Sequence, residues 1–258
     1  MNIKVIVASH KPYKMPKDNC YLPVQVGAEG KLAIDGFTPD NTGENISQKN
    51  PYFCELTGLY WAWKNLDCDY LGLAHYRRHF KGKNAGQDKI DSALSAEEMQ
   101  EIFGKTDIIL PGKRKYYIEN LYDHYVHTMQ SRPLEETGEI IKEKYPEYYA
   151  EFERLKKRTS AHMFNMYIMK KEISDGYCEW LFDILFELEK RIDITGYDAF
   201  QARFYGRVSE LLLDVYINTN GLEYVEVPAV HAEKINWWKK GTGFLMAKFF
   251  GKKYDKSC

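Results

Sequence analysis

A cluster of cationic and aromatic side chains follows a short apolar run. Residues 70–74 (YLGLA) have the composition of a buried strand, and the next five residues are His75, Tyr76, Arg77, Arg78 and His79. Arginine forks bind phosphate oxygens in pairs and stay charged at any working pH. The cluster therefore predicts a binding site for an anion such as a diphosphate. A surface ion-pair cluster that merely ends the strand would have the same composition.

The segment just before the next predicted helix offers further polar donors. Residues 31–50 contain turn residues throughout, and long loops inside compact domains often carry function. This loop ends in Ser47, Lys49 and Asn50, and Asn50 followed by Pro51 predicts a helix start. On the predicted helix 51–66, Glu55 is either a solvent residue or a pocket residue.

Four charged residues recur on one face of a helix predicted at 197–218. Their spacings are four, three and four, which places them opposite an apolar stripe. The charged face is either a solvated row of ion pairs or the wall of a polar cleft that supplies cations and a carboxylate base. The four residues are Arg203, Arg207, Glu210 and Asp214.

Elements of an α/β domain would position these groups. Strands are predicted at 3–9, 70–74, 107–111 and 163–169, and they alternate with helical segments. Ligands of such sheets bind at the carboxyl ends of the strands, where the arginines follow residue 74. Asn165 interrupts the apolar strand 163–169 and needs partners if it is buried, as a satisfied core group or as a ligand contact.

Composition excludes several classes of function. The 258 residues carry a net charge of −1, which argues against bulk nucleic-acid binding. Five cysteines without metal spacing, and no secretory leader, favour a cytoplasmic protein. No apolar segment is long enough to span a bilayer. The sequence also lacks the GxGxxG, P-loop, HExxH and GxSxG motifs.

Asp67-Cys68-Asp69 has the D-x-D pattern that many sugar-nucleotide transferases use to hold a divalent metal. It precedes the strand at 70–74, whereas a metal-binding pair would follow a strand and face the nucleotide. We interpret it as a polar turn. No metal site is predicted, and we expect metal-independent activity that persists in EDTA.

Five stretches of the sequence carry a family resemblance: NTGENISQKNPYFCELTGLYWAWKN, DYLGLAHYRRHF, HMFNMYIMKKE, YCEWLFDILFELEKRI and QARFYGRVSELLL. From residue 3 to about 230 the chain resembles a bacterial family of capsular and exopolysaccharide glycosyltransferases, long catalogued as the domain of unknown function DUF4422. The resemblance implies a GT-A-like α/β fold with helical additions, a nucleotide-sugar donor and a lipid-linked glycan acceptor. Some members transfer galactofuranose from UDP-galactofuranose with inversion, so this is the leading donor.

The resemblance also implies roles for individual residues. His124 and His127 fall in an acceptor region that is only partly retained here, and Leu211 replaces an arginine usual in the family. The positions emphasised by the family pattern, expected to bind the donor or its diphosphate, are Lys49, Asn50, Tyr52, Glu55, His75, Tyr76, Arg77, Arg78, Asn165 and Arg203.

The expected chemistry is a single displacement at the anomeric carbon. A carboxylate deprotonates the acceptor hydroxyl while cations stabilise the departing UDP. Glu210 is the first candidate for the base, with Asp198 and Asp123 as reserves. The alternative from another class is a non-catalytic module that binds a sugar nucleotide or glycan and assists a partner transferase.

The predicted domain of this fold covers residues 1–232, and residues 233–258 form a basic, aromatic tail. The tail interleaves Trp237, Trp238, Phe249 and Phe250 with the six lysines that lie between residues 239 and 256. If helical, it is amphipathic, and it would hold the protein on the inner face of the cytoplasmic membrane. The alternative is a C-terminal helix that docks on the protein's own core or on a partner.

Overall fold

The computed structural model of the protein describes residues 1–83 and 88–232, and the predicted tail 233–258 lies outside them. The described chain is a mixed α/β fold, as the sequence predicts. Its strands are β1 (Ile3–Ser9), β2 (Tyr21–Gln25), β3 (Thr38–Pro39), β4 (Tyr70–His75), β5 (Arg78–Phe80), β6 (Ile108–Pro111), β7 (Arg114–Lys115), β8 (Ser160–Ala161), β9 (Tyr167–Lys170), β10 (Val225–Val227) and β11 (Ala229–His231).

The main sheet has the strand order β10-β6-β9-β4-β1-β2-β3, with β5 and β11 paired at one end of β4. β1 is parallel to both β2 and β4, whereas β9 is antiparallel to β4 and β6. The chain leaves β1 toward β2 on one side, and β4 lies on the other. A crevice forms where the order reverses in this way, at the carboxyl ends of β1 and β4. His75 pairs with Ala8 at that edge.

The helices pack on both faces of the sheet. The larger apolar cluster includes Leu59, Leu181 and Leu212, and the smaller one includes Met99 and Phe103. Because both faces are covered, the central strands read as continuous apolar runs. The helices are α1 (Asn50–Phe53), α2 (Leu56–Asn65), α3 (Ala96–Phe103), α4 (Leu121–Thr128), α5 (Arg132–Lys144), α6 (Pro146–Lys156), α7 (Lys171–Arg191) and α8 (Phe204–Thr219).

Local signals placed some boundaries correctly and missed others. A capping box of Ser95 and Glu98, which is a purely local sequence signal, begins α3. The continuous helix predicted at 51–66 is wrong, because Cys54 adopts φ 53° and ψ −128° and separates α1 from α2. The helix predicted from 197 begins as a regular α-helix only at Phe204, after a 3-10 turn at Gln201–Arg203.

The strand predicted at 163–169 is also shorter than expected. Phe164 and Asn165 have φ angles of 80° and 56°, so the chain turns there and β9 begins at Tyr167. Residues other than glycine rarely adopt this left-handed backbone region. Those that do are found preferentially at functional sites. Among the described residues, no helix is long and apolar enough to cross a membrane.

Candidate active site

An arginine-rich pocket lies between the carboxyl end of β4 and the first turns of α8. Five arginines face two glutamates in it, which leaves an excess of three positive charges when His75 is neutral. A cleft with an excess of positive charge attracts anions. Its lining residues are Cys54, Glu55, His75, Arg77, Arg78, Arg114, Phe164, Phe200, Arg203, Gly206, Arg207 and Glu210.

The two adjacent arginines of the sequence cluster both line this pocket. The Arg77 guanidinium lies 5.1 Å from the Tyr76 ring centroid, and the Arg78 guanidinium lies 4.3 Å from that of Phe164. Arg78 Nε is buried and finds no hydrogen-bond partner among the described residues. Burial lowers the pKa of Arg78, and the Glu210 charge opposes that shift. Leaving a buried donor without a hydrogen bond costs free energy, so Arg78 Nε is suited to donate to a bound anion.

The turn at Phe164 and Asn165 bonds to three parts of the site: the end of β4, Glu55 and α8. His75 Nε2 donates a hydrogen bond of 2.7 Å to the Phe164 carbonyl oxygen. The Asn165 side-chain amide donates to Glu55 Oε1 at 2.7 Å and to the Gly206 carbonyl at 3.1 Å. Ser209 in turn donates to Asn165 Oδ1 at 2.9 Å. Asn165 is therefore a satisfied buried group that fixes the Glu55 carboxylate.

The break at Cys54 gives the pocket its second wall. Because the helix is interrupted there, the Cys54 thiol and the Glu55 carboxylate both face the pocket. Arg203 Nε donates to Cys54 Sγ at 2.9 Å. Burial raises the pKa of the Cys54 thiol to about 11, so the neutral thiol is the form present at neutral pH.

Glu210 is a buried carboxylate at the pocket floor, with 7% of its surface exposed. Burial raises its pKa above the ordinary glutamate range, Arg207 opposes that shift, and Glu55 adds to it. Arg207 lies 3.5 Å from Glu210 Oε2, beyond the usual hydrogen-bond length. A carboxylate with a raised pKa and an incomplete set of partners is suited to accept a proton.

The charged stripe on α8 divides between the pocket and the core. Arg203, Arg207 and Glu210 line the pocket, so these three are not a solvated row. Asp214, one turn further along, is 2% exposed and does not face the pocket. It accepts a hydrogen bond from the His162 backbone N–H at 3.2 Å and contacts Nδ1 of the same histidine.

Several predicted donor contacts lie beside the pocket rather than in it. Lys49 Nζ forms an ion pair of 2.6 Å with Glu189. The Asn50 side-chain amide donates to the Cys54 carbonyl at 2.7 Å, so it stabilises the helix break at Cys54. Tyr76 is buried beneath Arg77, and Tyr52 is exposed. None of these four predicted residues is among the pocket's lining residues.

The reserve carboxylates and the predicted acceptor histidines do not line the pocket. Asp198 Oδ1 accepts from the backbone N–H groups of Phe200 and Gln201, so it is engaged at the start of the 3-10 turn. Asp123 lies in the first turn of α4 and does not line the pocket. His124 and His127 donate to the two oxygens of buried Glu119, at 3.2 and 2.6 Å. Burial lowers the pKa of His124, with Glu119 opposing and nearby Arg114 adding to the shift.

Sequence reasoning did not select Arg114, Phe164 or Phe200 as pocket residues. Arg114 follows β6 within a basic run, as Arg77 follows β4, so the same rule of cations after a strand could have found it. Phe164 was missed because the apolar sequence of residues 163–169 predicts one continuous strand and gives no sign of the turn at Phe164. Phe200 precedes the 3-10 turn, where the sequence reads as continuous helix.

Asp67 and Asp69 lie before β4, at the opposite end of the strand from His75. Asp69 accepts a hydrogen bond from the Asn2 backbone N–H at 2.6 Å. The described part of the chain contains no group of three His, Cys, Asp or Glu residues placed to hold a metal ion. The D-x-D pair lies in the connection between α2 and β4, and metal independence remains a prediction.

Comparisons with known proteins bear on the family and the fold. A family model described as a domain of unknown function (DUF4422) matches residues 4–221. A solved structure described as the WbbM bifunctional glycosyltransferase in its apo form is similar to the chain, with a TM-score of 0.84 and 30% sequence identity. The match covers 91% of this chain and 46% of that one, so this chain spans about half the length of that protein. No curated protein sequence matches significantly.

Proposed function

Because the chain belongs to the DUF4422 family and shares the fold of a glycosyltransferase, we propose that it is an inverting hexosyltransferase that uses a UDP-sugar. The observation that carries this proposal is the pocket, in which five arginines surround a buried glutamate. A diphosphate leaving group needs cations, and an attacking hydroxyl needs a base, so one pocket supplies both requirements.

The arginines act on the leaving group. Arg77 and Arg78 lie at the end of β4, next to the crevice between β1 and β4 where a nucleotide fits. Their guanidinium groups hold the diphosphate, with Arg203, Arg207 and Arg114 around it. These fixed cations offset the negative charge that develops when UDP departs, so water molecules do not have to reorient around it.

Glu210 acts on the acceptor. The acceptor oxygen forms a bond to the anomeric carbon, the bond from that carbon to the β-phosphate oxygen breaks, and Glu210 takes the hydroxyl proton. The raised pKa of Glu210 makes it a stronger base, while Arg207 at 3.5 Å favours its ionised form. Glu55 and His75, both held by the Phe164–Asn165 turn, contact the donor sugar.

The donor proposed first is UDP-galactofuranose, and the acceptor is a lipid-linked intermediate of a capsular polysaccharide, exopolysaccharide or O-antigen. His124 and His127 are proposed to face this acceptor. Both assignments follow from the family resemblance of the sequence. The excess positive charge of the pocket supports a diphosphate donor of any sugar.

The tail 233–258 is proposed to hold the enzyme on the inner face of the cytoplasmic membrane. Its lysines and aromatic residues suit the headgroup region, where each basic residue contributes about 1 kcal/mol at an anionic surface. Truncation after Ile235 is expected to reduce binding to anionic liposomes and to leave transfer to a water-soluble acceptor intact. Equal liposome binding by the two proteins would refute this part of the proposal.

Acceptor-dependent release of UDP tests the enzymatic proposal. The purified protein is incubated with UDP-galactofuranose, UDP-galactose or UDP-glucose, with and without a synthetic lipid-linked acceptor, in EDTA. We expect release with one donor, dependent on the acceptor, and an inverted anomeric configuration in the product. UDP-sugar binding without release from any donor would instead support the non-catalytic binding module, and a strict Mn²⁺ requirement would contradict metal independence.

A further inference from the structure

An exposed apolar pair lies on the loop that connects the pocket to α4. Tyr117 is 88% exposed and the neighbouring Ile118 is 56% exposed. Scattered apolar residues are ordinary on protein surfaces, so exposure by itself assigns no role. These two residues are adjacent, however, and their loop begins at Arg114, which lines the pocket.

The loop is braced at both ends. The Tyr116 backbone N–H donates to the Thr159 carbonyl at 2.7 Å, and the Leu121 N–H donates to the Arg158 carbonyl at 2.8 Å. At the first anchor the Tyr116 ring also packs against the His124 ring, with the ring centroids 4.1 Å apart.

Glu119, in the same loop, is almost fully buried and accepts hydrogen bonds from both His124 and His127. The backbone around Tyr117 is therefore held in place while its ring projects into solvent. A surface that is ordered before binding loses less entropy when a ligand docks.

The position of the pair relative to the pocket is set by the chain. Tyr117 follows Arg114 by three residues, so their Cα atoms lie within about 10 Å of each other. Tyr116, between them, is close enough to Glu210 and Arg207 for their charges to influence its pKa, which burial raises to about 12. The loop is therefore near enough to Glu210 for a glycan whose end lies at Glu210 to reach it.

The chemistry of the pair fits a sugar ring. Tyrosine presents a flat apolar face together with a hydroxyl group and loses little conformational freedom on binding. A sugar ring likewise has a face of C–H groups and an edge of hydroxyl groups. Exposed Lys115, two residues before Tyr117, and half-exposed His127, which donates to Glu119 of the same loop, can offer hydrogen bonds to that edge.

We propose that Tyr117 and Ile118 form an acceptor subsite that binds a sugar unit located behind the one that reacts. This inference rests on the proposed glycosyl transfer, and it adds a site that recognises the length of the acceptor glycan. The reacting sugar lies at Glu210, and the next unit of the chain packs its apolar face on the Tyr117 ring.

Acceptors of two lengths test the subsite. Octyl β-galactopyranoside and the octyl glycoside of a galactose trisaccharide are compared with wild type, Tyr117→Ala and Tyr117→Phe. We expect the KM for the trisaccharide to rise about tenfold in Tyr117→Ala, as for the loss of one aromatic contact, and to stay near wild type in Tyr117→Phe. The kcat and the KM for the monosaccharide should not change. Leu32→Ala, which removes another highly exposed apolar side chain, should leave every value unchanged.

A binding measurement separates failure of the subsite from failure of the proposed function. Free galactotriose is titrated into wild type and Tyr117→Ala and followed by NMR, which requires no turnover. If wild type releases no UDP but binds the trisaccharide more tightly than Tyr117→Ala does, the transferase proposal fails and the subsite stands.

Four results would overturn the subsite. The first is an equal KM for the trisaccharide in wild type and Tyr117→Ala. The second is an equal rise in KM for both acceptor lengths in Tyr117→Ala, and the third is no binding of galactotriose by wild type. The fourth is weaker binding of Tyr117→Ala to phosphatidylglycerol vesicles with unchanged galactotriose binding, which would assign the pair to a lipid surface.

Discussion

Two buried carboxylates on α8, Glu210 and Asp214, lie one helical turn apart and have different surroundings. Asp214 accepts the His162 backbone N–H and contacts the His162 ring, whose other nitrogen lies 3.2 Å from Glu226. Glu210 faces the pocket, and its ion-pair partner Arg207 lies at 3.5 Å. The first carboxylate joins α8 to the segment before β9 and to β10. The second faces a space that a substrate can enter.

The difference shows how one helix serves both stability and chemistry. A buried carboxylate whose oxygens are all engaged contributes to the fold, because removing it leaves its partners unpaired. A buried carboxylate that faces a pocket keeps an oxygen for a ligand and has a raised pKa. Residue type and burial are similar for both, so the partners distinguish the two roles.

Glu210→Gln gives the largest effect that we expect. The amide keeps the shape of the side chain and cannot accept the proton, so turnover should fall about 10²–10⁴-fold. Thermal stability should be unchanged or slightly higher, since a buried charge is removed. Steady-state kinetics and thermal unfolding measure the two quantities. Near-normal turnover with the fold intact would exclude Glu210 as the base.

Asp214→Asn is the matched change on the same helix. Its amide N–H₂ would meet the donors of His162, so we expect a loss of about 3 kcal/mol in the free energy of unfolding. Turnover per folded molecule should stay within about threefold of wild type, because Asp214 does not line the pocket. Urea unfolding and activity of the folded fraction test this expectation. A stable but inactive variant would abolish the contrast with Glu210.

The sequence predicted the regular elements better than the irregular ones. β1 and β4 were found because both faces of each strand are covered, which makes each a continuous apolar run. The capping box of α3 is a purely local signal. In contrast, the breaks at Cys54 and Phe164 violate local preference, since neither residue favours a positive φ. Tertiary contacts such as Asn165 to Glu55 hold the second break, and no local pattern encodes them.

The candidate site was partly predictable for the same reason. His75 ends β4, and Arg77 and Arg78 come shortly after it, so a rule about strand ends found all three. Lys49 and Asn50 are near in sequence to pocket residues, yet their side chains pair with Glu189 and the Cys54 carbonyl. The orientation of a side chain depends on such partners, which the spacing of residues does not reveal.

Asn165→Gly tests whether the turn positions Glu55. Glycine adopts the φ of 56° without strain, so the backbone is kept while the amide contacts are lost. We expect kcat/KM to fall about tenfold, as a misplaced Glu55 orients the donor sugar poorly. The affinity for UDP alone should not change. Unchanged kcat/KM would show that Glu55 needs no support from Asn165.

The pH dependence of kcat/KM should reflect Glu210. The base is active when ionised, and burial raises its pKa, so activity falls as the pH decreases through a value above the ordinary glutamate range. This acid limb should be missing from the residual activity of Glu210→Gln and present in Asp214→Asn. An acid limb that is identical in all three proteins would assign it to another group.

Titration of UDP in EDTA tests the central claim, the anion site made of arginines, most directly. Calorimetry with wild type, Arg77→Ala, Arg78→Ala and the exposed neighbour Lys115→Ala gives each affinity without any acceptor. We expect UDP to bind wild type and Lys115→Ala equally, and each arginine variant about 10- to 100-fold more weakly, as for a lost hydrogen bond to a charged group. Unchanged UDP affinity in both arginine variants would contradict a diphosphate site at the end of β4.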